Sequence, residues 1–285
     1  VFRKVTGVGA VFRHIPGTVP TLAQLGMPKV LVDFCDYHQG MVLVTGSTGT
    51  GKSTTLAAMI NHLNETRNLN IISLEDPIEF VHPSKNSQVI QRELNTHVRS
   101  FADGVRSAMR EDPDVILVGE LRDAETIMMA MTAAETGHLV LGTLHTTGAV
   151  KTIDRIIDAL PGELREQTKA FLAMSLKAVV TQVLVKTVDG KGRRAVLEIL
   201  VNNRAIAKMI TSDQTHQLAS QLQTGADQGM QLMDSALLAA IQKKEIDPDD
   251  AIRFASDKKK FHRFVTNSDV VPMIDVGGNE ILSGS

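Results

Sequence analysis

The sequence predicts an α/β protein with a parallel-rich sheet covered by helices, followed by a mostly helical C-terminal part. Up to about residue 150, short apolar runs alternate with segments of helical periodicity. The apolar runs are continuous, which is typical of strands buried on both faces of a parallel sheet. After residue 150, helical periodicity dominates. Together these observations favour a sheet with helices on both sides.

The composition restricts the classes of function. The chain has 285 residues, a net charge of −2 and a single cysteine, Cys35. The charge gives no general attraction to DNA or to an anionic membrane, and one cysteine excludes an internal disulfide and fits a reducing compartment. No apolar stretch approaches the ~20 residues that cross a bilayer. The chain shows no signal peptide. Because it does not begin with Met, we expect a fragment, or a chain whose N-terminal part is missing.

The first half of the chain divides into elements in a regular order. Residues 1–20, with their Gly, Pro and β-branched residues, predict extended chain that leads into a domain. Residues 21–40 begin with Thr21 as a helix N-cap and have helical periodicity. The segments that follow predict strands at 41–45, 70–75, 114–120 and 138–145, and helices at 52–65, 100–112 and 124–136.

The second half is predicted to be mostly helical. A hairpin of residues 182–188 and 193–200 turns at "DGKG". The basic run 257–263 is interpreted as a solvated helix face rather than a nucleic-acid site. Helices are predicted at 148–159, 163–180, 203–211, 214–223, 229–243 and 248–255.

A glycine-rich loop carries the strongest functional signal. "GSTGTGKSTT" follows the apolar strand "MVLVT" and precedes a helix, which is the context of a phosphate-binding P-loop. Its glycines let backbone N–H groups point at phosphate oxygens, and the helix adds its positive end. Lys52 is expected to neutralise the β- and γ-phosphates, and Ser53 to offer its hydroxyl to Mg²⁺. The predicted nucleotide-binding residues are Gly46, Ser47, Thr48, Gly49, Thr50, Gly51, Lys52, Ser53 and Thr54.

Acidic residues follow two other predicted strands. "DVILVGE" ends in Glu120, where a carboxylate at the end of a buried strand would reach a P-loop metal ion, so Glu120 is predicted to bind Mg²⁺. "LEDPIEF" places Glu75, Asp76 and Glu79 together, and three carboxylates repel one another unless a cation or a polar network uses them. We predict that Glu79 polarises the attacking water. A strand-end surface glutamate and an ordinary acidic turn are the alternatives.

Histidines and arginines complete the predicted site. His138 and His145 are seven residues apart on one strand, so they face opposite sides and do not share a metal ion. His145 is predicted to sense the γ-phosphate as a neutral donor, the alternative being a histidine that only makes a structural hydrogen bond. Arg110, Arg122 and Arg13 are candidates for the guanidinium that stabilises the transferring phosphoryl group, and Arg110 is favoured over Arg122.

The order of these motifs resembles that of a known superfamily. With the P-loop, "EDPIEF", "LVGELRD" and "TGHLVLGTLHTT" in sequence, the chain resembles the secretion ATPases, the motors of type II secretion and type IV pili. "REDPDVILVGELRDAETI" and "LQTGADQGMQLMDSAL" resemble the pilus retraction ATPases within it. Assembly and secretion ATPases usually carry a tetracysteine zinc insert, which a chain with one cysteine lacks.

The resemblance implies a domain organisation and a function. It implies that 1–20 ends a PAS-like N-terminal domain that is mostly missing, that 21–200 form a RecA-like P-loop ATPase domain, and that 201–285 form a helical region. It further implies a hexameric motor that uses ATP and Mg²⁺ to power pilus retraction and twitching motility. Because the sites of such a ring lie between subunits, the arginine would act from the neighbouring chain.

The implied partners follow from the same resemblance. They are further copies of the chain, an inner-membrane platform protein of the pilus machine and a paralogous pilus ATPase, with no nucleic acid. The implied location is cytoplasmic and peripheral, at the inner-membrane base of the pilus machine, without membrane insertion.

Other functions stay open. A pilus assembly or type II secretion ATPase is the first alternative. A RecA-like nucleic-acid motor is a weaker one, because the chain has no Trp and one Tyr and therefore few stacking platforms. A non-catalytic scaffold would not need Lys52, Glu79 and Glu120 together. Ala207, in "AIAKMI", stands where retraction ATPases carry an arginine implicated in retraction, which leaves room for a divergent paralogue with an accessory role.

Overall fold

The computed structural model describes residues 1–11 and 17–267. Its strands are β1 (Phe2–Lys4), β2 (Gly7–Gly9), β3 (Gly40–Thr45), β4 (Asn70–Glu75), β5 (Gln88–Glu93), β6 (Val115–Val118), β7 (Leu139–Leu144), β8 (Leu176–Lys186) and β9 (Arg193–Val201). Its α-helices are α1 (Val30–Cys35), α2 (Lys52–Thr66), α3 (Phe101–Ala108), α4 (Ala124–Glu135), α5 (Ala149–Asp158), α6 (Arg165–Ser175), α7 (Arg204–Thr211), α8 (Leu218–Thr224), α9 (Met233–Gln242) and α10 (Pro248–Ala251).

Seven strands form one sheet in the order β5-β4-β6-β7-β3-β8-β9. All neighbouring pairs are parallel except β8 and β9, which are antiparallel. The strand before the P-loop, β3, therefore lies inside the sheet, between β7 and β8. Ligand sites of such open sheets lie at the carboxyl ends of the strands, so this topology determines which loops can meet.

Helices cover both faces of the sheet. Met41 and Leu43 of β3 pack into a cluster with α3, α4, α5 and α6, whereas Val42 and Val44 pack into a second cluster with α1 and α2. The alternation follows from the pleat of the strand, which points successive side chains to opposite faces. The predicted α/β class, with a mostly parallel sheet covered by helices, is confirmed.

The helices after β9 continue the packing of the sheet. Ile206 and Ile210 of α7 join the cluster formed by α3 to α6, whereas Leu237 of α9 packs with Val185 of β8 in a third cluster. The predicted boundary between residues 200 and 201 stays a prediction. Residues 268–285 of the predicted helical region lie outside the described residues. No helix in the described part of the chain combines the length and the apolar character needed to cross a membrane.

The predicted helix over 163–180 is wrong in its last part. After α6 ends at Ser175, residues 176–180 begin the strand β8, which continues to Lys186. This strand pairs in parallel with β3 and in antiparallel register with β9. The β-branched residues of "AVVTQVLV" fit a pleated strand. The predicted hairpin is correct at its turn, but its first strand is longer and belongs to the central sheet.

Two other predictions differ from the structure near the start of the domain. The helical reading of 21–40 is correct only for α1, because Gly26, in a left-handed conformation, and Pro28 end the turn that Thr21 begins. The strand β5 was missed. It is an edge strand whose residues are mostly half-buried and include several polar side chains, so it lacks the continuous apolar run of the inner strands.

Candidate active site

The P-loop joins the end of β3 to the start of α2. Gly46 and Gly51 both have positive φ, 139° and 87°. A Cβ at Gly46 would lie 2.4 Å from the carbonyl oxygen of Gln182, and one at Gly51 would lie 2.9 Å from the Gln182 side chain. Only glycine satisfies both the conformation and the close approach of β8 at these positions.

Lys52 is the first residue of α2 and is folded back over the loop. Its Nζ donates to the carbonyl oxygens of Gly46 at 2.8 Å and Ser47 at 3.1 Å, and the residue is only 8% exposed. Burial lowers the pKa of the Lys52 ammonium, although the carboxylates of Glu120 and Glu79 oppose the shift. A buried cation among loop carbonyls, beside two carboxylates, is suited to receive an anion of high charge.

The strand β8 supports the P-loop from behind. Gln182 Nε2 donates to the carbonyl oxygen of Thr50 at 2.6 Å, and Gln182 Oε1 accepts from the hydroxyl of Thr55 at 2.8 Å. The hydroxyls of Thr45 and Thr181 lie 2.9 Å apart. Sequence reasoning missed Gln182 because it placed the start of this strand in a helix. The signal was the polar "TQ" inside the β-branched run "VVTQVLV".

A cleft of about 730 Å³ opens on one side of the P-loop. We call it the first cleft. It is lined by the predicted site residues Thr48, Gly49, Gly51, Lys52, Ser53, Thr54, Glu79, Glu120, Arg122 and His145. The remaining predicted loop residues, Gly46, Ser47 and Thr50, line a second cleft of about 480 Å³ on the other side of the loop.

Glu120 follows β6 and has a partner for each carboxylate oxygen. Its Oε2 lies 2.6 Å from an Arg122 guanidinium nitrogen, and its Oε1 lies 3.3 Å from His145 Nε2. Burial alone would raise the pKa of the Glu120 carboxyl, but Arg122 and His145 outweigh it and hold this pKa below its usual range. Glu120 is therefore an anion at neutral pH.

His145 connects this carboxylate to the P-loop. Its Nδ1 lies 3.5 Å from the hydroxyl of Thr48, on the opposite side of the ring from Glu120. His138 lies at the other end of β7, where its Nδ1 is 2.9 Å from the carbonyl oxygen of Ala133. The two histidines thus lie at opposite ends of β7, each with its own partners.

The acidic cluster after β4 separates into two environments. Glu75 is half-buried and accepts from Ser73 Oγ at 2.7 Å and from Gln91 Nε2 at 3.0 Å. Burial raises the pKa of Glu75, and these hydrogen bonds oppose the shift only in part. Glu79 is also half-buried and lines the same cleft. Both carboxylates face the space beside Lys52 and Glu120.

The structure does not bring Arg110 to the P-loop of its own chain. Arg110 is exposed after the end of α3, next to Glu111, whose carbonyl oxygen accepts from the Asn70 side chain at the start of β4. Arg110 therefore lies near the amino ends of the parallel strands, whereas Glu120 lies at their carboxyl ends. Arg122, by contrast, lines the first cleft. Arg13 lies outside the described residues.

The residues present fit a phosphate-bound Mg²⁺. Ser53 and Glu120 line the same cleft beside Lys52. Among residues 1–11 and 17–267, no group of three or more His, Cys, Asp or Glu side chains forms a metal cage. Mg²⁺ in nucleotide sites is held by one or two protein groups, with substrate phosphates and water as the other ligands. A hydroxyl and one ionised carboxylate are such a donor set.

The chain matches known proteins along most of its length. The family described as "Type II/IV secretion system protein" matches residues 18–253. A "Twitching motility protein" of Neisseria gonorrhoeae is 53% identical over 258 residues, which are 90% of this chain and 69% of that protein. A "Type IV pilus retractation ATPase PilT" of Pseudomonas aeruginosa is 49% identical over 260 residues, which are 91% of this chain and 75% of the relative.

A solved structure shares the fold. The crystal structure of "the Pilus Retraction Motor PilT and Bound ADP" superposes with a TM-score of 0.82 at 42% identity and covers 88% of this chain and 71% of that one. These matches confirm the predicted resemblance to pilus retraction ATPases and the predicted class of enzyme, a nucleotide-binding ATPase. The family match over residues 18–253, together with the P-loop cleft and the sheet topology, shows that the chain belongs to the type II/IV secretion system protein family.

Proposed function

We propose that this chain is the ATP-hydrolysing subunit of a hexameric motor that powers type IV pilus retraction. The observation that carries the proposal is the meeting of Lys52, Glu79, Glu120 and His145 in one cleft, in a chain similar to retraction ATPases. A buried cation and carboxylates in one cleft are parts that phosphoryl transfer needs.

The phosphates of ATP bind at the P-loop. The N-terminal end of α2 and the loop N–H groups attract the phosphate oxygens, and Lys52 releases the carbonyls of Gly46 and Ser47 to contact the β- and γ-phosphates. Because Lys52 is buried, its charge acts in a weakly screened environment. This makes its contribution to phosphate binding larger than that of a surface lysine.

Ser53 and Glu120 would hold Mg²⁺, and Glu79 orients the attacking water. When bound, Mg²⁺ would supply positive charge that offsets the charge of the phosphates. Glu79 is the better candidate for the base, because it lines the cleft and its negative charge acts on Lys52. Glu75 lines the same cleft, but burial raises its pKa, and its carboxylate already accepts hydrogen bonds from Ser73 and Gln91.

His145 senses whether the γ-phosphate is present. Its ring lies between the Thr48 hydroxyl of the P-loop and the Glu120 carboxylate, within the cleft that would receive the phosphates. The segment after His145 leads directly into α5, which begins at Ala149. A change in the position of His145 on phosphate binding would therefore be close enough in the chain to affect the start of this helix.

The transition-state arginine is supplied between subunits of the ring. Arg122 forms an ion pair with Glu120 of its own chain, and Arg110 lies near the amino ends of the strands, away from the cleft. Mixing tests this proposal, since Lys52→Ala chains and chains in which the one acting arginine is changed to Ala should each be inactive alone but regain part of the ATPase activity in mixed rings. Mixtures of freely exchanging subunits that stay inactive for Arg13, Arg110 and Arg122 alike would contradict it.

The proposed setting is the cytoplasmic, inner-membrane base of the pilus machine. There the motor would contact a platform protein and a paralogous pilus ATPase. The family and the named relatives support this setting.

Two measurements test the function. Lys52→Ala should abolish ATP hydrolysis and weaken ATP binding, because the buried phosphate charge loses its counter-ion, whereas the exposed Lys191→Ala should behave as the wild type. Deletion of the gene should leave piliated cells that no longer twitch. Cells without pili would instead indicate an assembly motor, and normal ATP turnover by Lys52→Ala would contradict the P-loop assignment.

An accessory retraction ATPase is the second candidate function. The observation that favours it is Ala207 on α7, which packs against the core where the resembled motif has an arginine. An accessory motor should not restore twitching alone in cells that lack their main retraction ATPase. If Ala207→Arg gains that ability while the wild-type chain lacks it, the accessory role is supported; if the wild-type chain restores twitching alone, it is excluded.

A further inference from the structure

The segment that carries Glu79 has no regular secondary structure of its own. Residues 76–82, which we call the acidic loop, follow β4 and contain neither helix nor strand. Glu79 must nevertheless be held in place if it is to orient a water molecule, because a displacement of about 1 Å can lower a rate by about a hundredfold. The contacts that fix the acidic loop therefore bear on catalysis.

The edge strand β5 presents two polar side chains to the acidic loop. Gln91 and Glu93 are two residues apart, so they lie on the same face of the strand. They pair in register with Ser73 and Glu75 of β4. Glu93 Oε2 accepts from the N–H of Ile78 at 3.1 Å, which ties the start of the loop to β5.

Gln91 makes three hydrogen bonds with one amide group. Its Nε2 donates to the carbonyl oxygen of Phe80 at 2.8 Å and to Glu75 Oε1 at 3.0 Å. Its Oε1 accepts from the N–H of His82 at 2.8 Å. Phe80 and His82 are both buried and line the first cleft. An amide carries donors and an acceptor at the end of one side chain, so neither a carboxylate nor an apolar side chain can replace all three contacts.

The contact with Glu75 leads to Glu79. The Glu75 carboxylate also accepts a hydrogen bond from the backbone N–H of Glu79 and one from Ser73 Oγ at 2.7 Å. Gln91 thus fixes the backbone at Glu79, through Glu75, and at Phe80, the residue that follows it. Gln91 does not line the first cleft, so it acts through these residues and not on the nucleotide.

We propose that Gln91 is the positioning residue of Glu79. The inference rests on the proposed function, in which Glu79 orients the attacking water, and adds that the edge strand β5 sets the geometry of the reaction without touching ATP. Loss of the Gln91 amide should therefore affect turnover and leave nucleotide binding intact, because the P-loop belongs to another segment of the chain.

The first test compares turnover with binding. Gln91→Leu removes all three hydrogen bonds at similar side-chain size, and it should lower kcat on the order of tenfold or more while the Kd for Mg-ATP stays that of the wild type. Gln88→Leu is the matched control, because Gln88 lies on the same strand and is exposed. A wild-type kcat in Gln91→Leu, or a loss of ATP affinity as large as the loss of kcat, would overturn the inference.

A double-mutant cycle separates the positioning of Glu79 from a general effect on the fold. If Gln91 acts through Glu79, Gln91→Leu should lower kcat little further in a chain that already carries Glu79→Gln. Losses that multiply would show that the two residues act independently, and they would contradict the positioning role.

A second substitution keeps the test decisive if Gln91→Leu fails to fold. Gln91→Glu can still accept from the N–H of His82, but an ionised carboxylate cannot donate to Phe80 or to Glu75. It should show the same loss of kcat with retained ATP binding, and wild-type turnover by Gln91→Glu would refute the inference.

The behaviour of Glu79→Gln distinguishes this inference from the function on which it rests. Normal turnover by Glu79→Gln would overturn the assignment of the base, and the role of Gln91 with it. Slow turnover by Glu79→Gln together with normal turnover by Gln91→Leu would overturn only the positioning role and leave the proposed function as it stands.

Discussion

The imidazole of His145 lies 3.3 Å from the carboxylate of Glu120, and its other nitrogen lies 3.5 Å from the hydroxyl of Thr48. One ring thus spans the ends of β7 and β6 and the P-loop. Glu120 is held at its second oxygen by Arg122 at 2.6 Å. The protonation of Glu120 is therefore controlled by side chains from two loops.

Arg122→Ala should shift the acid limb of the pH–rate profile to higher pH. Arg122 helps hold the pKa of Glu120 below its usual range, and activity is lost as pH falls through that pKa because the protonated carboxyl no longer binds Mg²⁺. The shift should be small, because the arginine is mostly exposed and screened. ATPase rates across acidic pH measure it. The control Arg106→Ala removes a surface ion pair away from the cleft, and equal acid limbs in all three proteins would refute the prediction.

Glu79→Gln and Glu120→Gln should fail in different ways. Glu79→Gln should still bind Mg-ATP but turn it over more slowly by on the order of 10² or more, because the water loses its base. Glu120→Gln should also require more Mg²⁺, because a neutral amide replaces the anionic ligand. Single-turnover hydrolysis and Mg²⁺ titrations separate the two effects. Normal turnover by Glu79→Gln would transfer the role of base to another carboxylate of the cleft, with Glu75 as its neighbour.

Compared with the wild type, Glu75→Gln should gain free energy of unfolding as the pH is raised from acidic to neutral values. Burial raises the pKa of Glu75 above 4.5, so the folded state binds this proton more tightly than the unfolded state. The wild type therefore loses free energy of unfolding as pH rises from 4.5 through the raised pKa, and the glutamine variant does not. Urea unfolding at several pH values tests this. The variant should gain stability relative to the wild type as pH rises above 4.5, and the exposed Glu163→Gln should show no such trend. A difference between Glu75→Gln and the wild type that stays the same from acidic to neutral pH would disprove the assignment.

Gln182→Ala should destabilise the chain and weaken ATP binding together. It removes the partners of the Thr50 carbonyl and the Thr55 hydroxyl, both buried, at a cost of about 2–4 kcal/mol. The loop behind the phosphates then loses its support from β8. Urea unfolding and ATP titration measure the two effects, with the exposed Gln217→Ala as control. Wild-type ATP affinity in a measurably destabilised Gln182→Ala would show that β8 supports the fold but not the site.

The site was largely readable from the sequence because its parts are short segments at strand ends. The P-loop is contiguous, so Gly46 to Thr54 carry their own local geometry. Glu79, Glu120 and His145 each follow an apolar run, and the carboxyl ends of parallel strands meet at one edge of the sheet. Position in the chain was therefore sufficient to predict that these side chains converge.

The arginines show where this reasoning fails. Arg110 precedes Glu120 by ten residues and Arg122 follows it by two, and the sequence does not say which of them reaches the cleft. In the structure α3 runs back across the sheet, so Arg110 comes to the edge where Asn70 begins β4, and Arg122 stays at the cleft. Distance along the chain does not reveal the direction in which a helix runs across the sheet. Only the packed structure shows that Arg122 lies at the cleft and Arg110 does not.

The sequence by itself determined the class of fold, the nucleotide loop and the family, because each is encoded in local patterns of strand, glycine and charge. The tertiary structure alone decided that Gln182 supports the P-loop and that Glu198 joins α5 to α9. Gln182 is 132 residues from Thr50 in the chain, and Glu198 is 49 residues from Ala149. These contacts arise from the pairing of β8 with β3 and β9, and strand pairing depends on how the whole sheet buries its two faces, which no local pattern specifies.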